Sequence, residues 1–286
     1  MGGNAVPGVG TIHKTEIAPT LRVIEQILGL PGNELDNRLL GSVGKKDYSG
    51  DIDIVMDPVP HEKVMDFFNK LKKAYGHHSV RKTGAMLNIS APIENYDESL
   101  QGRLPRTGTV QVDFIFGKVA FTKLFHHSPG NESIYKGVHR NIAISAIAGF
   151  TERTESVEVD DQGRPVDKLR WKWGPQGFCK VRRFSRKNEN GDWLKSQKDE
   201  VLSESLTTGK EVAEKLFGQD STEADLNSFE TVLAAVKKYF DIEKQNKVFK
   251  QIAKNIEEFN ARSKKTDLTA YGLPSEISQF IAKDDK

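Results

Sequence analysis

Two alternating stretches, Gly50-Asp51-Ile52-Asp53-Ile54 and Val110-Gln111-Val112-Asp113-Phe114-Ile115-Phe116, restrict this chain more than any other feature. A period of two marks a strand whose faces meet different surroundings. Ile52 and Ile54 then point into a core, while Asp51 and Asp53 share the opposite face. In the second stretch Val112, Phe114 and Phe116 form the apolar face and Asp113 falls opposite them. Two carboxylates at that spacing repel unless positive charge sits between them, and a divalent cation that prefers oxygen, magnesium first, answers the need. If the two strands lie side by side, Asp113 completes a three-carboxylate cradle able to hold two ions about 4 Å apart, which suits in-line phosphoryl displacement. Taken alone, an Asp-x-Asp is more often merely the polar half of a solvent-facing alternation.

Around these stretches the chain reads as a mixed α/β domain. Residues 1–12, rich in Gly, Pro and small side chains, read as a flexible tail. Apolar residues at helical spacing predict a helix from Pro19 to Leu30, stopped by Pro31-Gly32. A short strand over Arg38–Leu40 runs into Gly41-Ser42, a strand follows at Asp51–Met56, and a helix at Pro60–Tyr75. Val80–Ile93 and Val110–Phe116 are two further strands around a Pro- and Gly-bearing loop. The boundaries drawn are 13–150 for this domain, 151–200 for a small β-rich part with turns at Asp161-Gln162-Gly163, Gly174–Gly177 and Asn188–Gly191, and 201–286 for a helical region. That region includes helices at Leu226–Phe240 and Val248–Phe259 and a short one after Leu273-Pro274.

Composition excludes several classes. The 37% hydrophobic and 29% charged fractions are those of a folding, globular chain. The longest apolar stretches fall short of the roughly 18 residues a membrane span needs, so a cytoplasmic protein without a membrane partner is expected. One cysteine, Cys179, forbids an internal disulfide and disfavours a cysteine-built zinc site. The Gly44-Lys45-Lys46 run lacks the first Gly and the Ser or Thr of a phosphate-binding P-loop.

Two basic features remain. From Arg164 to Lys187 there are nine Lys or Arg against one acid, Asp167, interleaved with Trp171, Trp173, Phe178 and Phe184. Lys168, Arg170 and Lys172, and again Lys180, Arg182 and Arg183, could track a phosphate backbone while an aromatic stacks on a base; packing aromatics and a solvated basic edge describe the segment equally. Lys136 and Arg140, one helical turn apart, could neutralise the outer phosphates of a triphosphate. His77-His78 and His126-His127 read as exposed loop histidines, and His139 is a weaker site candidate beside Arg140.

Gly41-Ser42, Asp51-Ile52-Asp53 and Asp113 together resemble the signature of the DNA polymerase β-like nucleotidyltransferase superfamily. The resemblance covers roughly residues 20–150; Gly50 stands where that family often has Ser. It implies an α+β fold: a nucleotidyltransferase-like mixed sheet with helices on one side, here with a small β-rich insertion and a helical C-terminal region. It also implies Asp51 and Asp53 as metal ligands, Gly41 and Ser42 against the phosphates of an NTP such as ATP, and Asp113 at the metal that activates the attacking hydroxyl. The expected activity is Mg2+-dependent transfer of a nucleoside monophosphate to an acceptor hydroxyl with release of pyrophosphate. An RNA end is favoured as acceptor; a protein, a small molecule or a second nucleotide fits the same acids. The alternative is a non-catalytic nucleic-acid-binding or assembly protein that retains the fold.

Overall fold

The computed structural model describes residues 5–83, 86–100, 106–129, 132–152, 154–155, 167–174, 177–184, 188–192, 194, 198–263 and 266–281. The turn at Asp161-Gln162-Gly163, the tip Pro175-Gln176 and the side chain of Lys168 lie outside the described residues. The architecture is α+β, in two compact units, Met1–Glu132 and Ser133–Lys286. The composition change after Gly149 predicts a boundary near Phe150; the chain divides about twenty residues earlier, because the helix that follows Lys136 buries its apolar face among later elements.

In the first unit a mixed four-stranded sheet runs in the order β3 (Asp51–Met56), β6 (Thr109–Phe116), β5 (Met86–Pro92), β4 (Val80–Thr83). β3 and β6 are parallel and the other pairs antiparallel. The strand expected over Val80–Ile93 is thus two strands of a hairpin. Helices α1 (Lys14–Leu28) and α2 (His61–Tyr75) seal one face. Ile17, Leu21, Ile24 and Leu28 of α1, with Phe67 and Leu71 of α2, form one core with Ile52, Ile54, Leu87, Ile89, Val112 and Phe114. Burying each such side chain stabilises the fold by about 1.5–3 kcal/mol. One face sealed by helices leaves the other to the polar half of each strand.

α1 starts five residues before Pro19. His13 caps it by accepting from Thr15 N, Glu16 reaches back to the His13 N–H, and Gly29 ends it in the left-handed conformation. Glu16 is also paired with Arg106 at 2.7 Å, both side chains nearly buried. Residues 5–12 are not a tail: Val6 and Ile12 are buried, and β1 (Ile12–His13) pairs with β2 (Tyr48–Ser49). What orders these residues is backbone pairing and two buried apolar side chains, which a composition rich in small residues does not announce.

In the second unit β7 (Thr154–Glu155), β8 (Asp167–Gly174), β9 (Gly177–Phe184) and β10 (Lys198–Val201) form an antiparallel sheet. Helices α4 (Gly137–Ala148), α5 (Gly209–Phe217), α6 (Phe229–Tyr239), α7 (Ile242–Arg262) and α8 (Ser275–Ser278) complete it, while α3 (Val119–Phe125), absent from the sequence reading, belongs to the first unit. Among the described residues no helix is long and apolar enough to cross a membrane.

The cations of β8 and β9 divide between the two faces of their sheet. Lys180 and Arg182 lie opposite Trp171 and Leu169, whereas Arg170 and Lys172 lie opposite Val181 and Cys179. Trp171, Trp173 and Phe178 are buried, so they pack and do not stack on bases. Among the six cations singled out as nucleic-acid contacts, Lys172, Lys180, Arg182 and Arg183 each have an acid beside them. Arg183 Nε and Lys172 Nζ donate to Asp199 at 2.8 and 2.9 Å, Lys180 lies 3.7 Å from Glu152, and Arg182 lies 3.8 Å from Glu200. Burial alone would raise the Asp199 carboxyl, but the hydrogen bonds from Arg183 and Lys172 hold it well below the ordinary range. Its stabilisation is therefore complete above the unfolded value of about 4 and is lost as pH falls below it. Asp199→Ala should cost about 1–3 kcal/mol at pH 7. In thermal melts the gap from wild type should begin to narrow as pH falls below about 4, and a gap independent of pH would exclude this ion cluster as its source.

Candidate active site

Parallel pairing of β3 with β6 sets Asp53 directly beside Asp113 and Asp51 beside Gln111. The next strand places Asn88 opposite Asp113 and Ser90 opposite Gln111. Because facing residues share a side of the sheet, all of these fall on the face away from α1 and α2. One carboxylate oxygen from each of Asp51, Asp53 and Asp113 lies within 4.8 Å of the others. The juxtaposition expected from the two alternating segments is therefore present.

Asp113 is 6% exposed and held by amides that the sequence reading passed over. Gln111 Nε2 donates to Oδ1 and Oδ2 at 2.9 and 2.8 Å, and Asn88 Nδ2 donates to Oδ1 at 2.7 Å. Both signals were in the sequence: Gln111 stands two residues before Asp113, hence on the same strand face, and Asn88 is a polar residue between Leu87 and Ile89. Burial is the main force raising the Asp113 carboxyl above its usual value, with the two amides opposing it. Asp53 is pushed up to about 7, by burial first and then by the charges of Asp51 and Asp113. The ionised cluster is destabilised by its own negative charge, and an all-oxygen donor set of this kind fits a hard divalent cation.

The Gly-Ser turn is attached to the same strand. Leu39 bridges Ile54, and Leu40 N donates to Asp53 O at 2.9 Å, so the chain reaches Gly41-Ser42 along the free edge of β3. Gly41 has φ +64°, a conformation that favours glycine, and the turn closes with Lys45 N donating to Ser42 O at 3.1 Å. Gly41 is also bridged to His127. His126 and His127 are half-buried after α3, not exposed as expected, and burial pulls the His126 imidazole down.

The remaining candidates lie in the second unit. Lys136 is exposed just ahead of α4, its Nζ 5.2 Å from the Tyr271 ring centre. Arg140 is 1% exposed: its Nε donates to Leu226 O, its Nη1 donates to Asn141 Oδ1 at 3.2 Å, and its guanidinium lies over Trp173. A guanidinium so enclosed offers no surface to a phosphate, and it does not share an open face with Lys136. His139 is fully buried, accepting from Lys136 N and bonded to Leu268 O at 3.1 Å, a structural arrangement.

No family model matches the chain, and no curated protein matches it. Among solved structures, similarity is found to a ternary P/T complex of Leishmania infantum polymerase beta, at 14% identity and a TM-score of 0.33, covering 59% of this chain and 57% of that one. A ternary gap complex of the same organism's polymerase beta is similar at 13% identity and a TM-score of 0.33, covering 85% of this chain and 67% of that one. The chain spans little more than half the length of the first of these.

Proposed function

We propose that this chain is a divalent-cation-dependent nucleotidyltransferase, with Mg2+ as the ion and an NTP as donor. The observation that carries the reading is the convergence of Asp51 and Asp53 of β3 with Asp113 of β6 within 4.8 Å, beside the edge of β3 that also holds the Gly41-Ser42 turn. Carboxylates beside a phosphate turn repel the substrate unless a cation lies between them, and a bound divalent cation supplies the charge that stabilises transfer of a phosphoryl centre. Asp51 and Asp53 hold that cation together with Asp113, and the Gly41-Ser42 turn offers a hydroxyl and backbone N–H groups to the triphosphate. In the reaction the acceptor oxygen forms a bond to the α-phosphorus as the bond to the bridging α–β oxygen breaks. Pyrophosphate leaves, and the acceptor proton passes to a cluster carboxylate or to solvent.

The acceptor proposed is a nucleic-acid end, an RNA end first, with its contacts on surfaces other than the acid-paired cations of β8 and β9. The test is a labelling assay with the four α-labelled NTPs and Mg2+, with and without total RNA, beside the Asp51→Ala/Asp53→Ala double variant. Label should reach an acceptor only with intact acids, and the labelled species names its class. Equal labelling by the double variant would sink the reading. Labelled protein or a labelled small product would replace RNA as acceptor.

A further inference from the structure

The segment Ala5–Gly10 is fastened to β6, the strand that carries Asp113, and runs on into β1. Gly10 N donates to Thr109 O at 2.9 Å and Thr109 Oγ1 donates to Gly8 O at 2.9 Å, at the start of β6. Two residues on, Ile12 pairs with Ser49, just before Gly50 and Asp51. In the other direction the segment turns onto the polar face of the sheet. There Ala5 N and Val6 N donate to Gln111 Oε1 at 2.8 and 3.4 Å, Arg81 Nη1 donates to Ala5 O at 3.5 Å, and Val6 is 3% exposed.

Gln111 thus has two fixed ends. Its oxygen is held by the backbone of the N-terminal segment, so its nitrogen is directed at Asp113, where it donates to both oxygens. An ionised carboxylate offers about four acceptor positions. Gln111 and Asn88 take three of them, which leaves one, on Oδ2. The donors are neutral amides, so they orient Asp113 without cancelling its charge. Release of the segment would free Gln111 Oε1 and let the side chain rotate away, leaving Asn88 alone to orient Asp113, through Oδ1.

We propose that the N-terminal segment Ala5–Gly10 is a working part of the carboxylate site: through Gln111 it holds Asp113 in the orientation that keeps its open oxygen position available to a divalent cation beside Asp51 and Asp53. This rests on the cation-dependent reading above. Gln111 is a positioning residue, and partners of ligands in this second rank commonly tune metal affinity by 10–100-fold.

The test is Mn2+ binding to the full chain by calorimetry, with thermal melts of each cation-free variant. Gln111→Met should weaken Mn2+ binding by about 10–100-fold. Deletion of residues 2–7 should weaken it by about tenfold, and the combined variant should bind like Gln111→Met alone, since both act through one side chain. Ala5→Pro, which removes one N–H donor and no packing group, should weaken binding in the same direction if the deletion unfolds the protein. Wild-type affinity in the deletion or in Ala5→Pro would overturn the proposal, as would a combined loss equal to the product of the separate losses. If wild type binds no Mn2+, or Asp53→Asn binds it as tightly as wild type, the cation-dependent reading itself fails and takes the proposal with it.

Discussion

Asp53→Asn should abolish cation-dependent nucleotidyl transfer while making the cation-free protein more stable. The loss should be at least about 1,000-fold in kcat, roughly 4 kcal/mol of transition-state stabilisation. The gain in stability has a separate origin. Asp53 is half-buried and carries its charge between Asp51 and Asp113, and this raises its carboxyl to about 7. A folded-state value above the unfolded one, near 4, means that the ionised form weakens the fold at neutral pH. Cation-free wild type should therefore gain stability as pH falls from 8 to 5, through the folded value toward the unfolded one. Asp53→Asn, with no charge there to neutralise, should melt a few degrees higher at pH 8 and lose most of that pH dependence. Saturating Mn2+ should raise the wild-type melting temperature and leave the variant unmoved. A variant less stable than wild type at pH 8 would show that Asp53 belongs to a structural network and not to an ion site.

Arg140→Ala should produce the largest loss of stability of any single change considered. The guanidinium is enclosed in the second unit against Leu226 O, Asn141 and the Trp173 ring, and burial brings its pKa down to about 10. Truncation removes the charge-assisted bonds and leaves the Leu226 carbonyl buried, a cost of about 3–5 kcal/mol. The melting transition of the second unit should fall by about 10 °C or more. Lys136→Ala, at an exposed position, should leave it within about a degree. A phosphate-binding arginine gives the opposite pattern: normal melting with a raised KM for NTP. That result would remove Arg140 from the structural role assigned here.

Much of the carboxylate site was legible in the chain because strands have a period of two. Ile52 and Ile54 against Asp51 and Asp53, and Val112 and Phe114 against Asp113, each announce which side of a strand faces the core. That rule is local and survives in any tertiary context that buries one face. The same rule places Gln111 beside Asp113, although its role appears only when the partner of its amide oxygen is known. The rule stops short at β8 and β9. Alternation predicts that cations share a face along one strand, but the register between two strands decides whether both sets share it. There Trp171 pairs with Lys180, so the two sets part and each meets an acid from elsewhere in the sheet or its flanks.

The sequence by itself determined the strand faces, the glycine turn before Asp51, the apolar stripes of α1 and α2 and the absence of an internal disulfide, all consequences of local sterics and side-chain chemistry. Tertiary structure alone decided that β3 lies parallel to β6 in the register that joins Asp53 to Asp113. It also decided that Ala5 and Val6 close over Gln111, that Arg140 turns inward, and that the first unit ends before Lys136. These outcomes depend on pairings between residues far apart in the chain, such as Arg140 with Leu226, 86 positions apart, and Ala5 with Gln111, 106 positions apart. Their free energy comes from desolvation and hydrogen bonds that exist only when the partners meet, so no local pattern could announce them.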